Sequence, residues 1–106
     1  MLNFLSANDA MGNRTDVVNV SNSRHAVVLV AGVPKQVAVP TGARIVLANA
    51  NGDFWMQYGA AAALPAGDVL NGAAAELNPA GRIINGVTAL GLVAPTDCTV
   101  SLAFYG

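Results

Sequence analysis

Charge is what this chain has least of. Only 10% of its 106 residues are charged, five basic and six acidic, against roughly 25% in an ordinary soluble domain. A net charge of −1, with the basic residues scattered singly, leaves no electrostatic footprint for nucleic acid. Cys98 is the single cysteine, so no internal disulfide forms and no redox compartment is implied. His25 is the single histidine, and a lone His with a lone Cys has no metal-ligand spacing. Long apolar runs are missing as well. A membrane-spanning helix needs about 20 apolar residues; the run from His25 to Val33 is too short, and Ile83 to Ala94 is broken by Asn85, Gly86 and Gly91. The opening MLNFLSANDA lacks the basic start and apolar stretch of a secretion signal, so the NRT and NVS matches at Asn13 and Asn19 read as chance occurrences of the glycosylation pattern.

What is present is apolar but small. Hydrophobic residues make up 54% of the chain, much of it alanine. A surface with so few charges and no membrane segment predicts burial against other protein. One domain of this length can hold a single core.

Two regions are expected. Residues 1–24 are polar, with Asn3, Asn8, Asn13, Asn19 and Asn22 among Ser and Asp. They read as an extended N-terminal arm, in which Val17, Val18 and Val20 can form a short edge strand. Residues 25–106 carry short β-rich runs separated by turns. HAVVLVA is a nearly continuous apolar run, the pattern of a strand covered on both faces. Pro40-Thr41-Gly42 marks a turn, with Pro suited to its second position. Asn51-Gly52 and Asn85-Gly86 each stand between apolar runs, the signature of type I′ hairpins. In the arm after the first of these, Phe54, Met56 and Tyr58 share one face, and Trp55 and Gln57 the other. In CTVSLAFY, Cys98, Val100, Leu102 and Phe104 alternate with Thr99, Ser101, Ala103 and Tyr105, a half-buried strand. No sustained helical period is present. The expected fold is an all-β sandwich, jelly-roll-like if the arm supplies a strand.

The segment from Ala60 to Arg82 fits neither helix nor strand, since Pro65, Gly67, Gly72, Pro79 and Gly81 punctuate its alanines. A loop this long is usually functional or disordered, and its low charge argues against disorder. An ordered excursion is expected, with one helical turn near Ala73–Leu77. Its small residues let backbone approach backbone, so it can lie flat on a neighbour, fold over its own sheets, or do both.

No catalytic constellation is legible. No motif pairs Cys98 with His25, and Cys98 reads as a small core residue. The six acids are dispersed: Asp53 and Asp97 stand at turns, and Asp68 and Glu76 are placed to pair with Arg82. No phosphate-binding glycine motif, metal site or cofactor site is found. Trp55, Tyr58 and Tyr105 are candidates for an aromatic platform, or for an interface, where Trp and Tyr are enriched.

The block VPKQVAVPTGARIVLANANGDFWMQYG, then LPAGDVLNGAAAELNPAGRIINGVTALGLVAP and the ending CTVSLAFYG, resembles small virion proteins of tailed bacteriophages. In these a VPTG-like turn precedes a strand, a tryptophan strand follows, and a GxAAELNP loop leads to arginine and two apolar strands. The resemblance covers about Val33 to Gly106 and implies an all-β homo-oligomer, a trimer in the capsid decoration (cement) type. Such a protein is assembled in the host cytoplasm, sits on the capsid surface and bridges neighbouring subunits of the major capsid protein. Contacts are then expected at Trp55, Tyr58 and the loop with Glu76, Asn78 and Arg82, and at Tyr105, with residues 1–24 as an anchor. The competing expectation is a tail- or fibre-associated protein, or a module presenting Trp55 and Tyr105 to a host glycan.

Overall fold

A computed structural model describes residues 1–8 and 14–106; Asn13, with the rest of 9–13, lies outside them. The described chain is all-β, with ten strands and no helix. Strands β1 (Ser6–Asn8) and β2 (Arg14–Val18) form a two-stranded antiparallel sheet. The other eight are β3 (Ser23–Leu29), β4 (Lys35–Ala38), β5 (Ile45–Ala50), β6 (Trp55–Tyr58), β7 (Glu76–Leu77), β8 (Gly81–Ile83), β9 (Ala89–Val93) and β10 (Cys98–Tyr105). They make two antiparallel four-stranded sheets, ordered β3-β10-β5-β8 and β4-β9-β6-β7.

The pairing is nested. β3 runs against β10, β4 against β9, β5 against β8 and β6 against β7. All four pairs alternate between the two sheets, and the bonds β5–β10 and β6–β9 complete each sheet. Inward side chains from both sheets form one core cluster, including Val27 and Leu29 of β3, Val46 of β5, Met56 of β6, Leu90 and Leu92 of β9, and Val100, Leu102 and Phe104 of β10. The half-buried strand expected at Cys98–Tyr105 is β10, with Cys98, Val100, Leu102 and Phe104 all buried inward. Phe54 and Met56 are buried, and Tyr58 packs against the same core.

Both expected hairpins are instead crossings between sheets. β5 and β6 flank Asn51-Gly52 but belong to different sheets, and so do β8 and β9 around Asn85-Gly86. Asn51 prolongs the β5–β10 ladder: its N–H donates to the Thr99 carbonyl at 3.3 Å, and its Oδ1 accepts from the Thr99 N–H at 2.9 Å. Gly52 lacks the positive φ of a type I′ turn. It gives room instead, since a Cβ there would stand 3.1 Å from Cys98 Cβ. Each flanking arm buries a face, and placing the arms in opposite sheets lets both faces cover one core. The second crossing is closed by the Val87 N–H on the Ile84 carbonyl at 3.0 Å, with Gly86 at φ 79° in third position, a type II pattern. The turn after β4 is of the same kind. Ala43 N–H bonds the Pro40 carbonyl at 3.1 Å, so Pro40 stands first rather than second, and Gly42 takes φ 88°.

The run HAVVLVA is covered on one face only. Val27 and Leu29 are buried, whereas Ala26, Val28 and Val30 are exposed. β3 is an edge strand, and among the described residues its outer valines stay exposed.

The long loop between β6 and β7 folds back on its own sheet. Gly59 N–H bonds the Ala89 carbonyl at 2.8 Å, Ala62 is buried, and Gln57 Nε2 donates to the Ala73 carbonyl at 2.8 Å. The helical turn expected near Ala73–Leu77 is absent: Glu76–Leu77 is strand β7, tied to Trp55 and Met56. Backbone lies on backbone at Gly91, where a Cβ would collide with the Ala60 carbonyl and stand 2.6 Å from the Ala62 nitrogen. Neither atom belongs to a flexible side chain. Gly91→Ala is therefore expected to lower stability by about 1–3 kcal/mol, the usual cost of overpacking. Denaturant unfolding measures this, and a wild-type midpoint in the variant would show that the loop is not seated there.

Candidate functional site

Three of the residues singled out by sequence meet where the two sheets end. β7 is the last strand of one sheet and β8 of the other. Glu76 stands opposite Met56, and Arg82 opposite Val46; Met56 and Val46 both point into the core, so Glu76 and Arg82 lean toward each other across the gap between sheets. Arg82 Nη2 lies 2.7 Å from Glu76 Oε2, and Arg82 Nε donates to both carboxylate oxygens at 3.1 Å. Tyr58, on the inner face of β6, donates its hydroxyl to Glu76 Oε1 at 2.6 Å. Arg82 Nη1 returns to the Gly81 carbonyl.

The electrostatics follow from these bonds. Hydrogen bonds from Arg82, then from Tyr58, hold the Glu76 carboxyl below the usual carboxylate range, against a smaller opposing effect of burial. Burial, followed by the hydrogen bond to Glu76, pushes the Tyr58 phenol well above its ordinary value. At neutral pH the carboxylate is charged and the phenol keeps its proton. With both carboxylate oxygens engaged, the trio clamps one sheet edge to the other.

Asn78 secures the same corner. It is the one non-glycine residue with positive φ (50°) among the described residues, a conformation that Asn tolerates better than most. Its N–H donates to the Phe54 carbonyl at 2.9 Å, its Oδ1 accepts from Phe54 N–H at 2.9 Å, and its Nδ2 donates to Asp53 Oδ1 at 2.9 Å. The end of the loop is thus stitched to the start of β6. Asn78 also lines an open depression of about 440 Å³, together with Asn49, Asn51, Asp53 and Pro79.

The three aromatics do not form one platform. Trp55 is half-buried on the outer face of its sheet, in register with Leu77 and Val93. Tyr58 lies on the inner face of the same strand. Tyr105 belongs to the other sheet and is buried. Phe4 stacks edge-on against it at 5.3 Å, and its hydroxyl donates to the Asn19 carbonyl at 2.6 Å. Strand alternation and the crossing between sheets separate the three rings.

Tyr105 is instead part of a seat for the N-terminal segment. Gly106 N–H bonds the Leu2 carbonyl at 2.9 Å, and Asn19 joins Leu5 through backbone and side chain. Ser21, the buried polar residue of this region, donates its hydroxyl to the Phe104 carbonyl at 2.6 Å. No spacing in the sequence marks Ser21, whose role depends on a residue 83 positions away.

Cys98 and His25 are set apart by the register, Cys98 opposite Leu29 and His25 opposite Leu102. Burial, then the nearby carboxylates of Asp53 and Asp97, pushes the Cys98 thiol up. The His25 ring packs against Phe104 at 5.1 Å. Among the described residues, no three His, Cys, Asp or Glu side chains come together, and no helix is long and apolar enough to cross a membrane.

Removing the phenol hydroxyl by Tyr58→Phe is expected to destabilise the fold by about 1 kcal/mol. The clamp also has an acid signature. Because the folded Glu76 value lies below its unfolded one, its contribution is complete above the ordinary carboxylate value of about 4.3 and disappears as pH falls through the lowered value. Glu76→Gln should flatten that part of the stability–pH profile; an unaltered acid slope in the variant would count against the clamp.

Compared with known proteins, the chain matches no family, no curated protein and no solved structure.

Proposed function

We propose that this chain is a structural protein of a tailed-bacteriophage virion, of the capsid decoration type, which binds the outside of the head and bridges neighbouring major capsid subunits. The nested strand order supports reading the two sheets as a β-sandwich of jelly-roll type, one long antiparallel ribbon rolled on itself. Viral capsid domains use this architecture. The sequence resemblance to small phage virion proteins points the same way and implies several copies, three in the decoration type.

The observation that carries the proposal is the exposed apolar surface. Leu70 is 89% exposed and Ile83 75%, and Val20, Leu5 and Val28 are each more than half exposed. With charged residues at 10%, such a surface suits a protein covered by its neighbours. The clamp of Tyr58, Glu76 and Arg82, with Trp55 and Leu77 beside it, offers a rigid corner for a lattice contact. Residues 1–24 help to anchor the protein, and Tyr105 holds the base of that segment.

The mechanism is linkage. Packed DNA pushes the shell outward, and the shell fails where subunits part. A protein that binds across a seam only when both sides are adjacent stabilises the closed lattice by its binding free energy, and many copies multiply a modest local contribution. Phage shells carrying the protein are expected to melt at a higher temperature than shells without it. Equal melting temperatures, measured calorimetrically on saturated and bare shells, would refute the proposal.

A further inference from the structure

We propose that the free edge of β3 is a homotypic docking strand, which pairs antiparallel with β3 of a second copy about a twofold axis at Ala26. Among the described residues, β3 bonds to β10 on one side and to no strand on the other. Ladder alternation decides which backbone groups it leaves open. On β10, the Thr99 and Tyr105 carbonyls accept from Asn51 and Arg44, toward β5. Val100, Leu102 and Phe104 therefore face β3, and their partners Val27, His25 and Ser23 turn their N–H and C=O groups into the ladder. Arg24, Ala26 and Val28 point theirs away from the sheet. Among the described residues, these groups have one partner, the Lys35 ammonium on the Val28 carbonyl at 2.9 Å.

Edges of this kind are normally blunted by charge, proline or a bulge. β3 is seven residues long, with no Pro, no Gly and an unbroken register to β10. Its outer face presents Ala26 and Val28, continued by Val30, which is 56% exposed. Arg24 lies on the strand and Lys35 reaches its far end, while Asp97 accepts from the Ala31 N–H just beyond it.

The strand is complementary to itself. With Ala26 opposite Ala26 of the second copy, Arg24 lies opposite Val28. Every outward N–H and C=O of Arg24, Ala26 and Val28 then finds a partner once Lys35 releases the Val28 carbonyl. Each arginine stem covers a valine. The two guanidinium groups stay four residues apart along the strands, roughly 13 Å, beyond the Debye length of about 8 Å at physiological salt. β3 carries no acid, so the register apposes no charged pair. Such an isologous contact closes on itself.

The contact is a property of the protein alone and is separable from shell binding. It gives pairs of copies where the phage resemblance implies three. Sedimentation equilibrium on the full chain should return two copies of the 10.7 kDa chain, and Val28→Lys, a change at an exposed position, should halve that mass while the circular dichroism spectrum is kept. Ala26→Pro, which removes an outward N–H, should do the same. Hydrogen exchange supplies the decisive pattern, with or without a variant. In the dimer the amides of Arg24, Ala26 and Val28 are protected, and dilution or Val28→Lys releases them, while the Val27 and Leu29 amides stay protected throughout. A wild-type monomer, a wild-type trimer, or a dimer whose Ala26 and Val28 amides exchange freely would overturn the proposal.

Discussion

Strand β10 is the constraint on which the rest of this molecule depends. It bonds to β3 along one side and to β5 along the other, and it directs four consecutive inward side chains, Cys98, Val100, Leu102 and Phe104, into the core. Burying a large aliphatic or aromatic side chain contributes about 1.5–3 kcal/mol. Three such residues on one strand, in one core cluster with the opposite sheet's Met56, Leu90 and Leu92, explain why a chain rich in alanine still has a definite core. The same strand seats the N-terminal segment through Phe104, Tyr105 and Gly106. Core, first sheet and arm base therefore share one element.

The two ends of the layered structure are finished differently. At β7 and β8 the opposing sheets are tied by a carboxylate, a guanidinium and a phenol, with Asn78 securing the turn beside them. At β3 and β4 a single lysine reaches from one sheet to a carbonyl of the other. One side is locked by short, charge-assisted bonds, and the other exposes valines and open backbone. That asymmetry gives the molecule a closed flank and an open one, which suits the proposed life in a lattice.

The all-β class and the strand Cys98–Tyr105 were legible because alternation is a local signal. So was the division of β6 into a face with Met56 and Tyr58 and a face with Trp55 and Gln57; of the two acids expected to pair with Arg82, Glu76 does and Asp68 does not. What failed was reading partners from turns. Asn51-Gly52 and Asn85-Gly86 have hairpin composition, yet turn propensity acts within four residues, while the choice of sheet is made by core burial between strands far apart in the chain. HAVVLVA misled for a related reason: an apolar edge strand and a strand buried on both faces have the same composition, and only sheet order separates them. Of the two placements open to the loop, the one over its own sheet is observed, because Gly91 has no side chain and the alanines of 60–62 have only methyl groups to hold backbones apart; the strand at Glu76–Leu77 was hidden, since two residues carry no period. The seat for Tyr105 was invisible, resting on Ser21 and Asn19 at long range.

Nested pairing has a kinetic side. Ser23 and Phe104 are register partners, as are Lys35 and Leu92, so the outermost ladders close loops that span most of the chain. Contacts of such separation fold slowly, because the entropy of closing the loop is lost before the contact forms. On the ribosome, β3 must wait for β10 to emerge before it gains the strand it pairs with. During that interval its valines are unsheltered on both sides, for as long as the residues between β3 and β10 take to be made.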